Sequence, residues 1–98
     1  MTKISDHLFV EIITPQEKVF EGKADSILIP SEDGDIFILP SHLPMMCALK
    51  KGEVTLHLEN KVTQQFEISS GILEIDNDKI KLITDTAQAA KKKEKIVE

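Results

Sequence analysis

Residues Glu53–Glu59 read EVTLHLE and alternate strictly between polar and apolar side chains. Side chains of a β-strand point alternately to opposite faces, so this alternation predicts a strand with one buried side. Val54, Leu56 and Leu58 are expected to face a core. In a helix the same three side chains would be scattered around the surface. The stretch therefore favours a half-buried β-sheet.

A hairpin is predicted to follow this strand. Its turn is expected at Glu59-Asn60, because Asn tolerates the positive φ that tight hairpin turns need. The return strand is predicted over Lys61–Ile68. The apolar residues expected on its buried face are Val62, Phe66 and Ile68.

The other predicted strands are short and are punctuated by Gly, Pro or Asn. They are Leu8–Thr14 (ended by Pro15), Lys18–Glu21 (ended by Gly22), Ala24–Ile29 (ended by Pro30), Ile36–Leu39, and a second hairpin of Ile72–Asp76 and Lys79–Thr84 with its turn at Asn77-Asp78. Because Ile36–Leu39 is apolar throughout, both of its faces are expected to be covered. This pattern predicts an all-β fold, a flattened β-sandwich or barrel of about 8–10 short strands.

The C-terminal end differs from the rest in composition. We expect residues 1–86 to form one β-sandwich domain and residues 87–98 to form a lysine-rich tail. Ala87–Lys95 is rich in helix formers, and the candidate N-caps before it are Thr84, Asp85 and Thr86. At about three turns, such a helix is marginal in isolation, so a short helical or frayed tail is expected.

Length and composition limit the class of protein. A chain of 98 residues has room for one core. No apolar run approaches the roughly 20 residues of a membrane span, and the N-terminus lacks the pattern of a signal peptide. Cys47 is the single cysteine, so no internal disulfide is expected. These features predict a cytosolic chain.

The charge is acidic and unevenly distributed. Residues 1–90 carry 8 Lys against 15 Asp and Glu, whereas residues 91–98 carry 4 Lys against 2 Glu. An acidic body argues against nucleic acid as a partner and suits a partner with a basic surface. All 12 cations are lysines, so the bidentate guanidinium that commonly clamps phosphates is absent.

No arrangement of residues predicts catalysis or a metal site. The three imidazoles, His7, His42 and His57, are not at metal-ligand spacing from each other or from Cys47. Cys47 lies in the apolar run Met45–Leu49, where a thiol acts as a small hydrophobe. The glycines Gly34, Gly52 and Gly71 are isolated, so no phosphate loop is expected. We expect no cofactor and no metal.

The segment Ser31–Gly52 reads SEDGDIFILPSHLPMMCALKKG. It resembles the signature region of the epsilon subunit of F-type ATP synthases, which has an acidic glycine loop, an apolar strand, a Pro-Gly-His-x-Pro turn, an apolar run and a Lys-x-Gly turn. The segments Val10–Gly22, Ile68–Glu74 and Ile83–Ala87 are similar to the family's first hairpin, its Ser-Gly-Gly-x-Leu-Glu segment and its closing Asp-x-Ala. The resemblance covers roughly residues 7–88 in order.

This chain departs from the family pattern at a few positions. Ser41 replaces the glycine before His42, Ile36-Phe37 replaces a Leu-Gly pair, and Ser70 stands where the family has a glycine. The family commonly continues into a helical hairpin of some 40–50 residues, and this chain ends where that hairpin would begin. The resemblance therefore implies little inhibition of ATP hydrolysis and no nucleotide binding.

The resemblance implies a non-catalytic role in the rotating central stalk. A sandwich of this family fastens the gamma subunit to the membrane c-ring, which couples proton transport to ATP synthesis. It would lie on the cytoplasmic face of the cell membrane of a bacterium, held there indirectly through the c-ring, and the isolated chain would be a monomer.

The resemblance also assigns contact residues. Carried over by position, the residues facing the c-ring are Thr14, Glu32, Asp33 and Asp35. Those facing the gamma subunit are His42, Leu43, Met45, Met46 and Cys47. The c-ring loop is typically basic, so an acidic cluster suits it, and methionines suit an apolar contact because they adapt their shape.

Two other classes of function stay open on the residues themselves. A free-standing sandwich could bind another protein or a carbohydrate, although four Phe with no Trp or Tyr disfavour sugar stacking. A small hydrolase would need a nucleophile–base pair, which the sequence does not suggest. Recovery of gamma and c-ring subunits with the chain would separate these alternatives from the stalk subunit.

Overall fold

The computed structural model describes residues 7–41 and 44–90. Over these ranges the chain forms ten strands and one short 3-10 turn, Glu59–Lys61. The strands are β1 (Leu8–Ile13), β2 (Lys18–Ala24), β3 (Ser26–Ser31), β4 (Gly34–Ile38), β5 (Met45–Leu49), β6 (Gly52–His57), β7 (Thr63–Ile68), β8 (Gly71–Asp76), β9 (Lys79–Thr84) and β10 (Ala87–Ala89). The all-β prediction is confirmed.

Strand β3 joins two halves of the fold. The hydrogen-bonded path runs β10-β7-β6-β3-β5-β8-β9-β1-β2, and β4 pairs with β3. Strand β3 pairs with β6 through residues 26–28 and with β5 at Ser31, so it passes from one half to the other. Of the strand pairs, β1 with β9 is parallel and the others are antiparallel. We call β10-β7-β6-β3-β4 the first sheet and β5-β8-β9-β1-β2 the second sheet.

One apolar core lies between the two sheets. Its members come from nine of the strands just described. They are Leu8, Val10, Ile12, Ala24, Ile27, Ile29, Ile38, Leu49, Val54, Leu56, Phe66, Ile68, Leu73, Ile75, Ile80 and Leu82. Burial of apolar area on this scale is what allows a chain of this size to fold without a disulfide.

The strand predicted from the alternation of Glu53–Glu59 has the expected buried face. Val54 and Leu56 are fully buried, and Leu58 is half-buried against the same core. The second predicted hairpin is also confirmed: Asp76 pairs with Lys79 across a two-residue turn. Asn77 and Asp78 form that turn at φ 52° and 63°, the left-handed geometry that matches the twist of paired strands.

The expectation that Ile36–Leu39 is covered on both faces is wrong. Ile38 is buried, but Phe37 and Leu39 are 52% and 53% exposed. The reason is that β4 is paired only with β3 in the described part of the chain, and packs one face on the core.

Two predicted strand ends are also wrong. Strand β2 continues through Gly22 to Ala24, because Gly22 pairs with Val10 inside the ladder. Strand β3 continues through Pro30 to Ser31. Pro30 is tolerated because its missing N–H falls where β3 changes partner from β6 to β5, and its carbonyl accepts the Lys50 N–H at 3.0 Å.

The turn after β6 is longer than predicted. The Leu58 N–H donates to the Val62 carbonyl at 2.7 Å, so the loop contains three residues rather than two. Its left-handed residue is Lys61, at φ 62°, as in three-residue hairpin loops. Val62 closes the loop by pairing with Leu58 and is 49% exposed, which corrects its prediction as a core residue.

The predicted helix from residue 87 is contradicted as far as Ala90. Residues 87–89 form β10, which pairs with β7, and the Ala90 N–H donates to the Gln65 carbonyl. Thr84 is not a helix cap but a buried member of β9. The open edge of β7 supplies hydrogen-bond partners that outweigh a weak helix propensity. The rest of the predicted tail, residues 91–98, lies outside the described residues.

Candidate functional site

The strand registers bring several loops to one end of the sandwich. Ser31 of β3 pairs with Leu49 of β5, and Leu49 pairs with Gly71 of β8. Gly71 in turn pairs with Thr84, whose hydroxyl lies 3.5 Å from the Ile13 carbonyl. The loops beyond these residues therefore share one end, which we call the acidic end: residues 14–17, 32–33, 50–51, 69–70 and 85–86.

The predicted c-ring contacts all lie at or beside this end. Glu32 and Asp33 form the turn between β3 and β4. Ser31 holds that turn: its hydroxyl donates to the Gly34 carbonyl at 2.6 Å and accepts the Asp33 N–H at 3.1 Å. Asp35 follows in β4, opposite Pro30, with an exposed side chain.

The carboxylates of this end are not neutralised by neighbouring cations. In residues 7–41 and 44–90, no ion pair within 4.0 Å involves Glu32, Asp33 or Asp35. The loops and Asp35 together carry five carboxylates, from Glu17, Glu32, Asp33, Asp35 and Asp85, against the two lysines Lys50 and Lys51. The end is therefore suited to a basic partner.

Thr14 has a structural task at the same end. It is only 8% exposed. Its hydroxyl lies 3.1 Å from the Glu17 carbonyl and accepts the Gln16 and Glu17 N–H groups at 3.3 and 3.2 Å. These bonds close the loop between β1 and β2, so Thr14 shapes the acidic end while leaving its neighbours Pro15 and Gln16 exposed.

Three of the predicted gamma contacts, Met45, Met46 and Cys47, lie along β5 and do not share one face. Met46 points outward and is 64% exposed, whereas Met45 and Cys47 point toward the core and are half-buried. Burial raises the pKa of the Cys47 thiol, and the nearby negative charge of Asp33 raises it further. A protonated, half-buried thiol is a poor nucleophile. His42 and Leu43 lie outside the described residues.

The second sheet carries an outward apolar row that the sequence reading did not single out. Ala48 of β5 pairs with Ile72 of β8, Ile72 pairs with Ile83 of β9, and Ile83 pairs with Ile13 of β1. These four side chains point away from the core and are exposed or half-buried, and Met46 lies beside them. We call Ile13, Met46, Ala48, Ile72 and Ile83 the apolar row. Its sequence signal is an isoleucine out of phase with the alternation, as at Ile72 and Ile83.

A row of alternating charges borders the apolar row on the same face. Met46 pairs with Glu74, Glu74 with Lys81, and Lys81 with Glu11. The Lys18 ammonium then contacts Glu11 at 2.9 Å and Glu21 at 3.2 Å. The hydrogen bond from Lys18 lowers the pKa of Glu11, and the pKa of Lys18 is raised in return. The charges on this face are thus largely compensated.

The outward face of the first sheet has a different character. Its exposed side chains on β6 and β7 include Glu53, Gln65 and Glu67, and the Gln65 amide donates to Glu53 at 3.3 Å. Phe37 contacts the His57 ring edge-on at 6.1 Å between centroids. The long apolar row is therefore a feature of the second sheet.

The described residues do not form a metal-binding cluster. The His7 ring lies 3.3 Å from Asp25 and 3.7 Å from Glu59, at the end opposite the acidic end. No group of three or more His, Cys, Asp or Glu in residues 7–41 and 44–90 is arranged to hold a metal ion. Nor does that part of the chain contain a helix with the length and hydropathy of a membrane span.

Curated relatives can be aligned with most of the length of this chain. It is 38% identical over 82 residues to the ATP synthase epsilon chain of Chlorobium limicola, covering 83% of this chain and 93% of that protein. It is 34% identical over 84 residues to the ATP synthase epsilon chain of Alkalilimnicola ehrlichii, covering 86% of this chain and 60% of that protein. The chain thus spans 93% of the length of the first relative and 60% of the length of the second.

Solved structures share the fold. A chain in the cryo-EM structure of Euglena gracilis mitochondrial ATP synthase, described as OSCP/F1/c-ring in rotational state 1, superimposes with a TM-score of 0.85 at 18% identity, covering 90% of this chain and 56% of that one. A chain in the central stalk/c-ring structure of Tetrahymena thermophila mitochondrial ATP synthase gives a TM-score of 0.69 at 15% identity, covering 89% and 69%.

The family comparison covers the whole described body. Residues 7–90 match the sequence profile of the ATP synthase Delta/Epsilon chain beta-sandwich domain. These residues begin at the start of β1 and end just after β10, so the match includes both sheets and the acidic end. The chain belongs to the ATP synthase delta/epsilon family, and its ten-stranded body is the β-sandwich domain of an epsilon chain.

Proposed function

We propose that this chain is a non-catalytic subunit of the central stalk, which fastens the gamma subunit to the c-ring of an F-type ATP synthase. In this role it lies at the cytoplasmic face of the membrane without entering it. It couples proton transport to ATP synthesis by keeping the stalk and the ring in fixed register as they rotate.

One observation carries the proposal: a single rigid sandwich presents two surfaces of different chemistry. The acidic end carries exposed, unpaired carboxylates, and the apolar row crosses four strands of the second sheet. A subunit that links two different partners needs two such surfaces. The two surfaces adjoin each other, because Ala48, Ile72 and Ile83 are each next in sequence to a residue that borders the acidic end. The closely packed core behind both surfaces can transmit force with little deformation.

The acidic end suits the c-ring. Glu32, Asp33 and Asp35 are oriented by the turn that Ser31 holds, and a basic loop approaching that end would meet unpaired carboxylates. Exposed charge pairs contribute about 0.2–1 kcal/mol each, so they set orientation and encounter rate more than total affinity. Thr14 supports this surface through the shape of its loop rather than through a free hydroxyl.

The apolar row suits the gamma subunit. Met46, already assigned to that partner by family resemblance, lies diagonally across from Ile72 on the outward face, and Ile72 pairs with Ile83. Exposed apolar side chains grouped in this way are uncommon on a surface that meets only water, and they supply most of the energy of protein association. Proposed contacts of the same partner also include His42, Leu43, Met45 and Cys47.

The test uses epsilon-depleted membrane vesicles of the source organism. Added chain is expected to restore ATP-driven proton pumping and to bind purified gamma subunit and detergent-solubilised c-ring. Ile72→Asp should weaken binding to gamma, because a carboxylate would be desolvated in the apolar row. The matched control is Gln65→Asp, which places the same new charge on the exposed outward face of the first sheet.

Failure of the wild-type chain to bind gamma or to restore pumping would rule out the stalk role. Equal loss of gamma binding in Ile72→Asp and Gln65→Asp would show that the apolar row is not the contact surface. Stable binding to an unrelated protein with no affinity for gamma or the c-ring would support a free-standing binding module instead.

A further inference from the structure

Two non-glycine residues in the left-handed region are bonded to each other across the fold. Ser41 has φ 70° and Asp78 has φ 63°. The Ser41 N–H donates to the Asp78 carboxylate, with 2.6 Å between N and Oδ1, although the two residues are 37 positions apart. Left-handed geometry disfavours residues that carry a Cβ, so each position would suit glycine better on backbone grounds alone.

Asp78 occupies the second position of the two-residue turn between β8 and β9. Glycine is the preferred residue at this position of a hairpin turn. What aspartate adds is a side-chain acceptor, and the structure shows where that acceptor is used. A hydrogen bond to an ionised carboxylate is shorter and stronger than one between neutral groups.

Asp78 is also held from its main-chain side. Its carbonyl accepts the Phe9 N–H at 2.9 Å, which attaches the turn to the start of β1. The carboxylate is therefore presented from a fixed position. It acts as an anchor for Ser41, which follows β4, and is not itself steered by Ser41.

The anchored residue precedes the strand that carries the proposed gamma contacts. Strand β5 begins at Met45, which pairs with Ile75 of β8, so Met45 and Ser41 both contact the hairpin formed by β8 and β9. The conformation of Ser41 sets the direction in which the chain leaves β4. Holding Ser41 therefore attaches to one hairpin both the residue that follows β4 and the first residue of β5.

We propose that Asp78 is a positioning residue for the gamma-facing surface: by holding Ser41 in the left-handed conformation, four positions before Met45, it attaches the end of the β4 segment to the hairpin that pairs with β5 and so restricts how Met45 and Met46 are presented. The inference rests on the proposed function for the identity of the partner. Its first step, the anchoring of Ser41, requires no partner. An anchored surface loses less conformational entropy when it binds.

The test separates the anchor from the fold. Asp78→Gly removes the carboxylate but suits the turn, so the urea midpoint should be unchanged or raised. Hydrogen exchange at the Ser41 amide should become about tenfold faster, and affinity for purified gamma subunit should fall about five- to tenfold. Asp78→Asn tolerates the left-handed region and keeps an acceptor oxygen, although a neutral one, so exchange at Ser41 and gamma affinity should change less than in Asp78→Gly.

A second change provides the rescue. Ser41→Gly adopts positive φ without help, so the double variant Ser41→Gly/Asp78→Gly should bind gamma within about twofold of Ser41→Gly alone. The turn control is Asn77→Gly, which alters the neighbouring left-handed residue and keeps the carboxylate. It should change neither exchange at Ser41 nor gamma affinity.

The outcomes distinguish this inference from the proposed function. Wild-type gamma affinity in Asp78→Gly, or unchanged exchange at Ser41, would overturn the positioning role while the stalk function stands. A wild-type chain that does not bind gamma at all would overturn the stalk function, whatever the exchange data show.

Discussion

The ring of Phe20 meets the ring of Phe66 edge-on, with 5.6 Å between centroids and 62° between planes. Phe20 lies in β2 of the second sheet and Phe66 in β7 of the first, so the pair joins the two sheets on the side away from β3. Edge-to-face geometry is favourable for aromatic rings because the positive edge of one meets the negative face of the other. The contact closes the sandwich where no backbone ladder does.

Phe66→Ala should therefore be strongly destabilising. Phe66 is buried, and truncation of a buried Phe costs about 3–5 kcal/mol. Phe20→Ala should cost less, because Phe20 is half-buried, and the two should be coupled by about 0.5–1.5 kcal/mol in a double-mutant cycle. Urea unfolding measures each value. Phe66→Leu keeps more of the apolar volume and still removes the ring, so it replaces the alanine variant if that variant fails to fold. Strictly additive losses would show that the ring pair does not act as a unit.

Gly71→Ala should destabilise the chain more than any other glycine substitution. A Cβ at residue 71 would collide with the backbone of Ile83 and Thr84, which cannot move without separating β8 from β9. The control is Gly22→Ala, where the new Cβ would meet the Phe20 ring at 3.3 Å, and a side chain can shift. Thermal unfolding of the two variants compares them. A Gly71→Ala midpoint equal to that of Gly22→Ala would contradict the close approach.

Cys47 should react slowly with iodoacetamide near neutral pH. Its pKa is raised by burial and by the charge of Asp33, so the reactive thiolate appears only at a higher pH than for an exposed cysteine. Asp33→Asn removes the negative charge, lowers the pKa of Cys47 and should speed alkylation. Urea-unfolded chain should react faster still, because burial is the larger cause. The control is Asp35→Asn, and an identical pH–rate profile in Asp33→Asn and wild type would exclude the influence of Asp33.

Asp35→Lys should weaken binding to the c-ring more than binding to gamma. The change replaces an unpaired exposed carboxylate at the acidic end with a cation, and we expect a loss of about three- to tenfold in c-ring affinity at low salt. The loss should shrink as salt screens the charges. Glu67→Lys makes the same charge change on the exposed face of β7 and serves as the control. Equal losses for both partners would mean that the two surfaces are wrongly assigned.

Local sequence patterns correctly predicted a strand with one buried face and a hairpin turn. The alternation of Glu53–Glu59 and the turn at Asn77-Asp78 each depend on neighbours a few positions away, so strands and a hairpin could be inferred there. Predictions failed at Pro30, Val62 and residues 87–90. At Pro30 and at residues 87–90 a distant strand decides whether a backbone group has a partner, whereas at Val62 the hairpin loop is one residue longer than predicted.

Of the two candidate surfaces, one could be predicted from local sequence and the other could not. The acidic residues Glu32, Asp33 and Asp35 could be singled out from the sequence, because they are adjacent and their charges need no fold to exist. The apolar row could not, because Met46, Ile72 and Ile83 become neighbours only through the registers of β5, β8 and β9.

The sequence by itself determined that this protein is an all-β sandwich with an acidic body, since side-chain alternation and charge are properties of the chain. Tertiary structure alone decided which isoleucines face outward together, that β4 has an exposed face, and that Asp78 anchors Ser41. These features depend on which strands pair. Pairing is chosen by burial of the whole core rather than by any one segment.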